Sequence, residues 1–105
     1  MGLARDAYEL AGRIRAGDPE AARSLRRAAV SVPAHIAGAL AADRAAGREA
    51  DVVSARAALA EVARHAELAP GSSSPASLSA ELGRHARALE RSVAATLAGT
   101  DEGRP

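Results

Sequence analysis

The chain has 105 residues, room for one domain, and no cysteine, which excludes disulfides, thiolate metal sites and cysteine nucleophiles together. Alanine supplies 30 residues and Tyr8 is the sole aromatic, a composition that favours helix over strand, so the predicted fold class is all-α. The net charge is only +1 and all fourteen basic residues are Arg. No apolar run approaches the ~18 residues of a bilayer span, and Asp6 and Glu9 disfavour a secretory signal, so a cytoplasmic protein with no membrane partner is expected.

The first predicted helix runs from about Leu3 to Ala16, where Leu3, Ala7, Leu10 and Ile14 recur at helical spacing, and Gly17 ends it. Asp18 reads as an N-cap, with Pro19 at the first helical position, where its missing N–H costs nothing. The second helix is long, from Pro19 to about Ala46, with Leu25, Ala29, Val32, Ile36 and Leu40 as its stripe. Pro33 removes the hydrogen bond to the Ala29 carbonyl and predicts a kink. The Ser31 hydroxyl is placed to satisfy a backbone group freed there. Gly47 marks the next turn, and a third helix follows from about Glu49 to Leu68 with Val52, Ala55, Leu59, Val62 and Ala66 on one face. Residues 70–77, PGSSSPAS, read as a loop. Ser74 before Pro75 predicts the start of a fourth helix, lined by Leu78, Leu82, Ala86, Leu89, Val93 and Leu97.

These elements predict one domain over residues 1–98, with helices at about 3–16, 19–46, 49–68 and 75–98 and a polar tail at 99–105. Short connections favour an antiparallel up-down-up-down four-helix bundle. Its core is thin. Only eighteen Leu, Ile and Val residues are available, each contributing about 1.5–3 kcal/mol when fully buried, against a backbone ordering cost of about 1–2 kcal/mol per residue. Self-association that buries a further apolar face would relieve this, so a homo-oligomer is expected.

The run Leu25-Arg26-Arg27-Ala28-Ala29-Val30-Ser31-Val32-Pro33-Ala34-His35-Ile36-Ala37 resembles LRRAAxSIPxNIAEG, the signature of the bacterial four-helix bundle family, also called the 23S rRNA intervening sequence protein family. Ala55-Arg56-Ala57-Ala58-Leu59-Ala60-Glu61 is a second, weaker match, to ARGSLxE, and the likeness spans about residues 5–98. The resemblance implies a subunit that assembles into a five-fold ring, a homopentamer. Relatives of that family include the accessory variability protein of diversity-generating retroelements, a basic barrel that binds nucleic acid and a reverse transcriptase. In this chain His35 replaces the usual Asn, Gly38-Ala39 replaces Glu-Gly, and Ala57-Ala58 replaces Gly-Ser. The resemblance implies that the polar side chain at position 35 hydrogen-bonds at a helix or subunit contact, and the motif residues Ser31, Pro33, His35 and Ile36 read as structural.

Charge is unevenly spread. Residues 1–48 hold eight Arg against five acidic residues, a net +3; residues 49–81 hold two against five, a net −3; residues 82–98 hold three against one, a net +2. Arg23, Arg26 and Arg27 lie within little more than one turn of the second helix, with Arg44 and Arg48 further on, while Arg84, Arg87 and Arg91 share one face of the fourth. Repeated around an oligomer these would form belts that neutralise RNA or DNA phosphates. A solvated face, with Glu81–Arg84 and Arg87–Glu90 pairs, explains the same spacing, and so few aromatics exclude base stacking as a reading mode. His35, His65 and His85 fall on three helices without a Glu-x-x-His pair, so no metal and no cofactor are expected. PGSSSP lacks the Lys of a phosphate loop and no Ser has an identifiable base.

The expectation is therefore a non-enzymatic scaffold or adaptor that forms a homo-oligomer, with sequence-independent RNA or DNA contact through arginine belts. The alternative is a protein-only interaction module, such as an accessory subunit of a reverse transcriptase or another enzyme. A small regulator holding a ligand between helices is a third, with no evident polar pocket.

Overall fold

The computed structural model describes the backbone of residues 2–102 and the side chains of residues 2–95. It contains four helices, α1 (Leu3–Ile14), α2 (Pro19–Ala41), α3 (Ala45–Leu68) and α4 (Leu78–Glu102), and no strand among the described residues. The all-α expectation holds. Adjacent helices in the chain pack on one another, and α1 also packs on α4, which closes a circuit of four neighbours. The body measures 51 × 23 × 20 Å.

Two caps secure the starts of α2 and α4. The Asp18 carboxylate accepts the Ala21 N–H at 3.0 Å, with Pro19 beside it in the first turn of α2. Ser77 does the same for α4: its hydroxyl accepts from the Ala80 N–H at 3.1 Å and donates to the Ser74 carbonyl at 2.8 Å. The cap of α4 is thus Ser77 rather than Ser74, and the helix starts three residues later than the Ser-Pro signal suggested. The turn before it is held by hydrogen bonds from Ser74 N–H to the Gly71 carbonyl and from Ser77 N–H to the Ser74 carbonyl.

Three other boundaries differ from expectation. The chain leaves α1 at Ile14, whose carbonyl accepts from both Gly17 and Asp18 N–H groups, so residues 15 and 16 belong to the turn. The α2–α3 break lies at residues 42–44, where Ala42 and Arg44 are extended, not at Gly47. Glycine ends a helix by adopting a left-handed conformation. Gly47 does not adopt one, and an added methyl there would meet only Ala42 Cβ at 3.8 Å, an ordinary contact. At the far end α4 continues to Glu102, four residues into the expected tail; Leu97 as a stripe residue and the tail beyond Glu102 lie outside the described residues.

The feature that shapes the molecule is a mismatch of length. α1 has 12 residues, against 23, 24 and 25 in α2, α3 and α4. At 1.5 Å per residue it is about 18 Å long beside neighbours of about 35–38 Å. The main core follows α1: Leu3, Ala7, Leu10 and Ala11 pack with Leu25 to Val32 of α2, with Leu59, Val62 and Ala66 of α3, and with Leu82 and Ala86 of α4. Leu25, Leu59, Leu82 and Val62 are its largest fully buried side chains.

Candidate functional site

Beyond the reach of α1, the same apolar stripes continue, and no fourth helix covers them among the described residues. Ile36, Ala39 and Leu40 of α2, Val52 and Ala55 of α3, and Val93 of α4 line an almost wholly apolar trough of about 160 Å³. Ala39, Val52 and Ala55 are buried but stand apart from the main core, while Ile36 is 40% exposed and Leu40 is 85% exposed. Expectation placed Ile36 and Leu40 in the core stripe; the stripe is real, and it outruns the helix that would bury it.

Around this trough α2 and α3 approach closely. His35 Nδ1 lies 3.2 Å from Asp51 Oδ1, a half-buried contact between the two helices. Gly38 lets the Asp51 carboxylate sit against the α2 backbone: a methyl at Gly38 would lie 2.6 Å from Asp51 Oδ2 and 2.9 Å from its Cγ. Sequence reasoning missed Asp51. Its partner is sixteen residues away, and no local spacing signals such a pair. Nearer the middle of α2, Pro33 lies exposed, and the helix runs unbroken through it. The Ser31 hydroxyl donates to the Ala28 carbonyl at 2.8 Å, one residue away from the Ala29 carbonyl that Pro33 deprives of its usual donor.

The eight candidate arginines do not converge. Arg23, Arg26 and Arg27 lie on α2, Arg44 stands at the N-cap position of α3, Arg48 sits in its first turn, and Arg84, Arg87 and Arg91 lie on α4. The principal packing partners of α2 are α1 and α3, whereas those of α4 are α3 and α1, so the two groups stand on helices that do not principally face each other. Arg84, Arg87 and Arg91 do come together, along a depression of about 550 Å³ that Glu67 and Ser72 also line. There Arg87 is engaged: its Nε and Nη2 donate to both oxygens of Glu67 at 3.1 and 2.9 Å, and its Nη1 donates to Glu90 at 3.1 Å. Those hydrogen bonds from Arg87 hold the Glu67 carboxyl below the usual carboxylate range, and the two carboxylates raise the Arg87 guanidinium further still. The Arg87–Glu90 pair was expected from its spacing; the α3–α4 clamp through Glu67, twenty residues away, was not. No Glu81–Arg84 ion pair forms among the described residues.

His35, His65 and His85 remain on separate elements, and no group of three ligating side chains gathers among the described residues. His65 Nε2 stands 3.8 Å from Glu61, beyond hydrogen-bonding range, and is buried without a partner, as is Arg56 Nε. No helix among the described residues is long and apolar enough to cross a membrane. No family model, no curated protein and no solved structure matches the chain.

Proposed function

We propose that this chain is a non-enzymatic, cytoplasmic scaffold that works by associating with copies of itself. The observation that supports this most directly is the uncovered apolar end, with Leu40 presented to solvent beside an apolar trough. Contiguous exposed apolar surface of this kind marks a contact in waiting, and a core this rich in alanine gains stability from any partner that buries more of it. The scaffold is read as an antiparallel up-down-up-down bundle bent at Pro33, in keeping with connections as short as residues 15–18 and 42–44. The resemblance to the intervening sequence family adds a five-fold ring to this proposal.

Nucleic-acid contact is the second element. Arg23, Arg26, Arg27, Arg44, Arg48, Arg84 and Arg91 form no ion pair among the described residues, which leaves them available to phosphate, whereas Arg87 is already neutralised. A protein-only module, including an accessory subunit of a reverse transcriptase, is the competing reading, favoured by the apolar character of the open end. Light scattering tests the first element: an assembly mass above 10.6 kDa is expected, and a strict monomer removes the proposal. Binding of labelled RNA and DNA duplexes at low and high salt tests the second. Affinity that falls steeply with salt supports phosphate contact; no binding at low salt leaves the protein-only module.

A further inference from the structure

We propose that the hollow at the capped end of the bundle binds a free aliphatic α-amino acid as its zwitterion. The site lies at the opposite end of α2 from the trough and does not depend on self-association.

The last turns of α1, the turn after it, the loop before α4 and the first turn of α4 meet there. They line a hollow of about 660 Å³, within the ~300–1,000 Å³ range of small-molecule sites. Leu10, Ile14 and Leu78 give it apolar walls. Its polar groups divide by kind. On the α4 side they are donors. Ser79 is the one buried polar residue among the described residues, at 2% exposed. Its N–H and that of Leu78 have no hydrogen-bond partner among those residues. A buried N–H without a partner is rare, and in the first turn of a helix it is a ready contact for a carboxylate. The Ser79 hydroxyl adds a third donor. The Ser77 proton is already given to the Ser74 carbonyl at 2.8 Å, so the 3.3 Å contact between the two hydroxyls uses the proton of Ser79. That bond is long, and a carboxylate is a stronger acceptor for the same proton.

On the α2 side the group is an acceptor. Asp18 caps α2 through one carboxylate oxygen, and its other oxygen has no hydrogen bond among the described residues. Arg13 also lines the hollow, but its Nη2 donates to Glu9 at 2.8 Å, so that pair brings no net charge. A simple anion therefore meets the charge of Asp18, and a simple amine meets the positive end of α4. A zwitterion answers both. Its carboxylate takes the α4 donors, its ammonium takes Asp18, and a branched hydrocarbon side chain lies against Leu10, Ile14 and Leu78.

Titration of the isotope-labelled chain with L-leucine, followed through its amide resonances, tests the site. The expected result is saturable shifts at Asp18, Leu78 and Ser79, with a Kd on the order of 1 mM. Isocaproate, which lacks the ammonium, and isoamylamine, which lacks the carboxylate, are each expected to bind about tenfold more weakly, since each forgoes a charge-assisted hydrogen bond. Asp18→Asn keeps a capping side chain and is expected to weaken leucine about tenfold while isocaproate binds no more weakly than before. A merely structural role for Asp18 would not separate the two probes. Should Asp18→Asn lose helical circular dichroism, the comparison of probes on the native chain decides. The site is overturned by the absence of saturable shifts up to about 20 mM leucine, or by shifts confined to other residues. Equal binding of either truncated probe overturns it too, as does a folded Asp18→Asn chain that binds leucine as before.

Discussion

The half of the bundle that α1 covers and the half that it leaves open are built from the same residues, alanine with single Leu, Ile or Val steps, yet they behave as different materials. In the covered half Leu25, Leu59 and Leu82 lose all contact with water, and the helices there start from side-chain caps at Asp18 and Ser77. In the open half Ile36 and Leu40 face solvent, and α3 starts at Arg44 without a side-chain cap. An apolar stripe marks a face, whereas the length of the neighbouring helix decides whether that face becomes core or contact.

The largest effect that separates the halves is Leu59→Asp. It places a carboxylate at a fully buried site with no partner and is expected to cost more than about 4 kcal/mol, visible as loss of helical circular dichroism and of a cooperative melt. Next comes the matched pair Leu82→Ala and Leu40→Ala. The first is expected to lose about 2–5 kcal/mol by urea unfolding, the second to stay within about 0.5 kcal/mol when measured on dilute protein; equal losses would erase the distinction between the halves. Ser77→Ala removes the cap of α4 and is expected to cost about 0.5–2 kcal/mol. Hydrogen exchange adds a graded comparison, with slower exchange for amides near Leu25 and Leu59 than for those near Leu40 and Arg48.

The smallest effect concerns the Arg87 clamp, which is exposed to solvent and screened by salt. Glu67 has a lowered pKa in the folded chain, so its contribution is complete above its unfolded value of about 4.5 and disappears as pH falls through the lower folded value. Arg87 titrates far above this window and adds no acid dependence. Thermal melts of the native chain and Arg87→Ala are expected to differ slightly at pH 7 and to converge at strongly acid pH.

Much of the fold was legible because it depends on spacing within one helix. The Leu25–Ala29–Val32 and Leu59–Val62–Ala66 stripes, the Asp18 cap and the loop after Leu68 all follow from local period and local chemistry. What escaped depends on neighbours. Period alone extended the α2 stripe through Ile36 and Leu40, since nothing in α2 records how far along it α1 reaches. Gly47 looked like a helix end because composition does not reveal backbone angle, and Ser77 lost to Ser74 because both are followed by plausible first turns. Asp51 and Glu67 meet partners sixteen and twenty residues away, separations that only the packed helices define.

The seat of Asp51 against Gly38 carries its own consequence. With the carboxylate 2.6 Å from where a methyl would stand, a side chain at 38 and an acid at 51 compete for the same space. Alanine at 38 therefore turns the Asp51 carboxylate aside, and His35 then forfeits its companion. Variation at position 38 should thus be coupled to variation at 51 and 35.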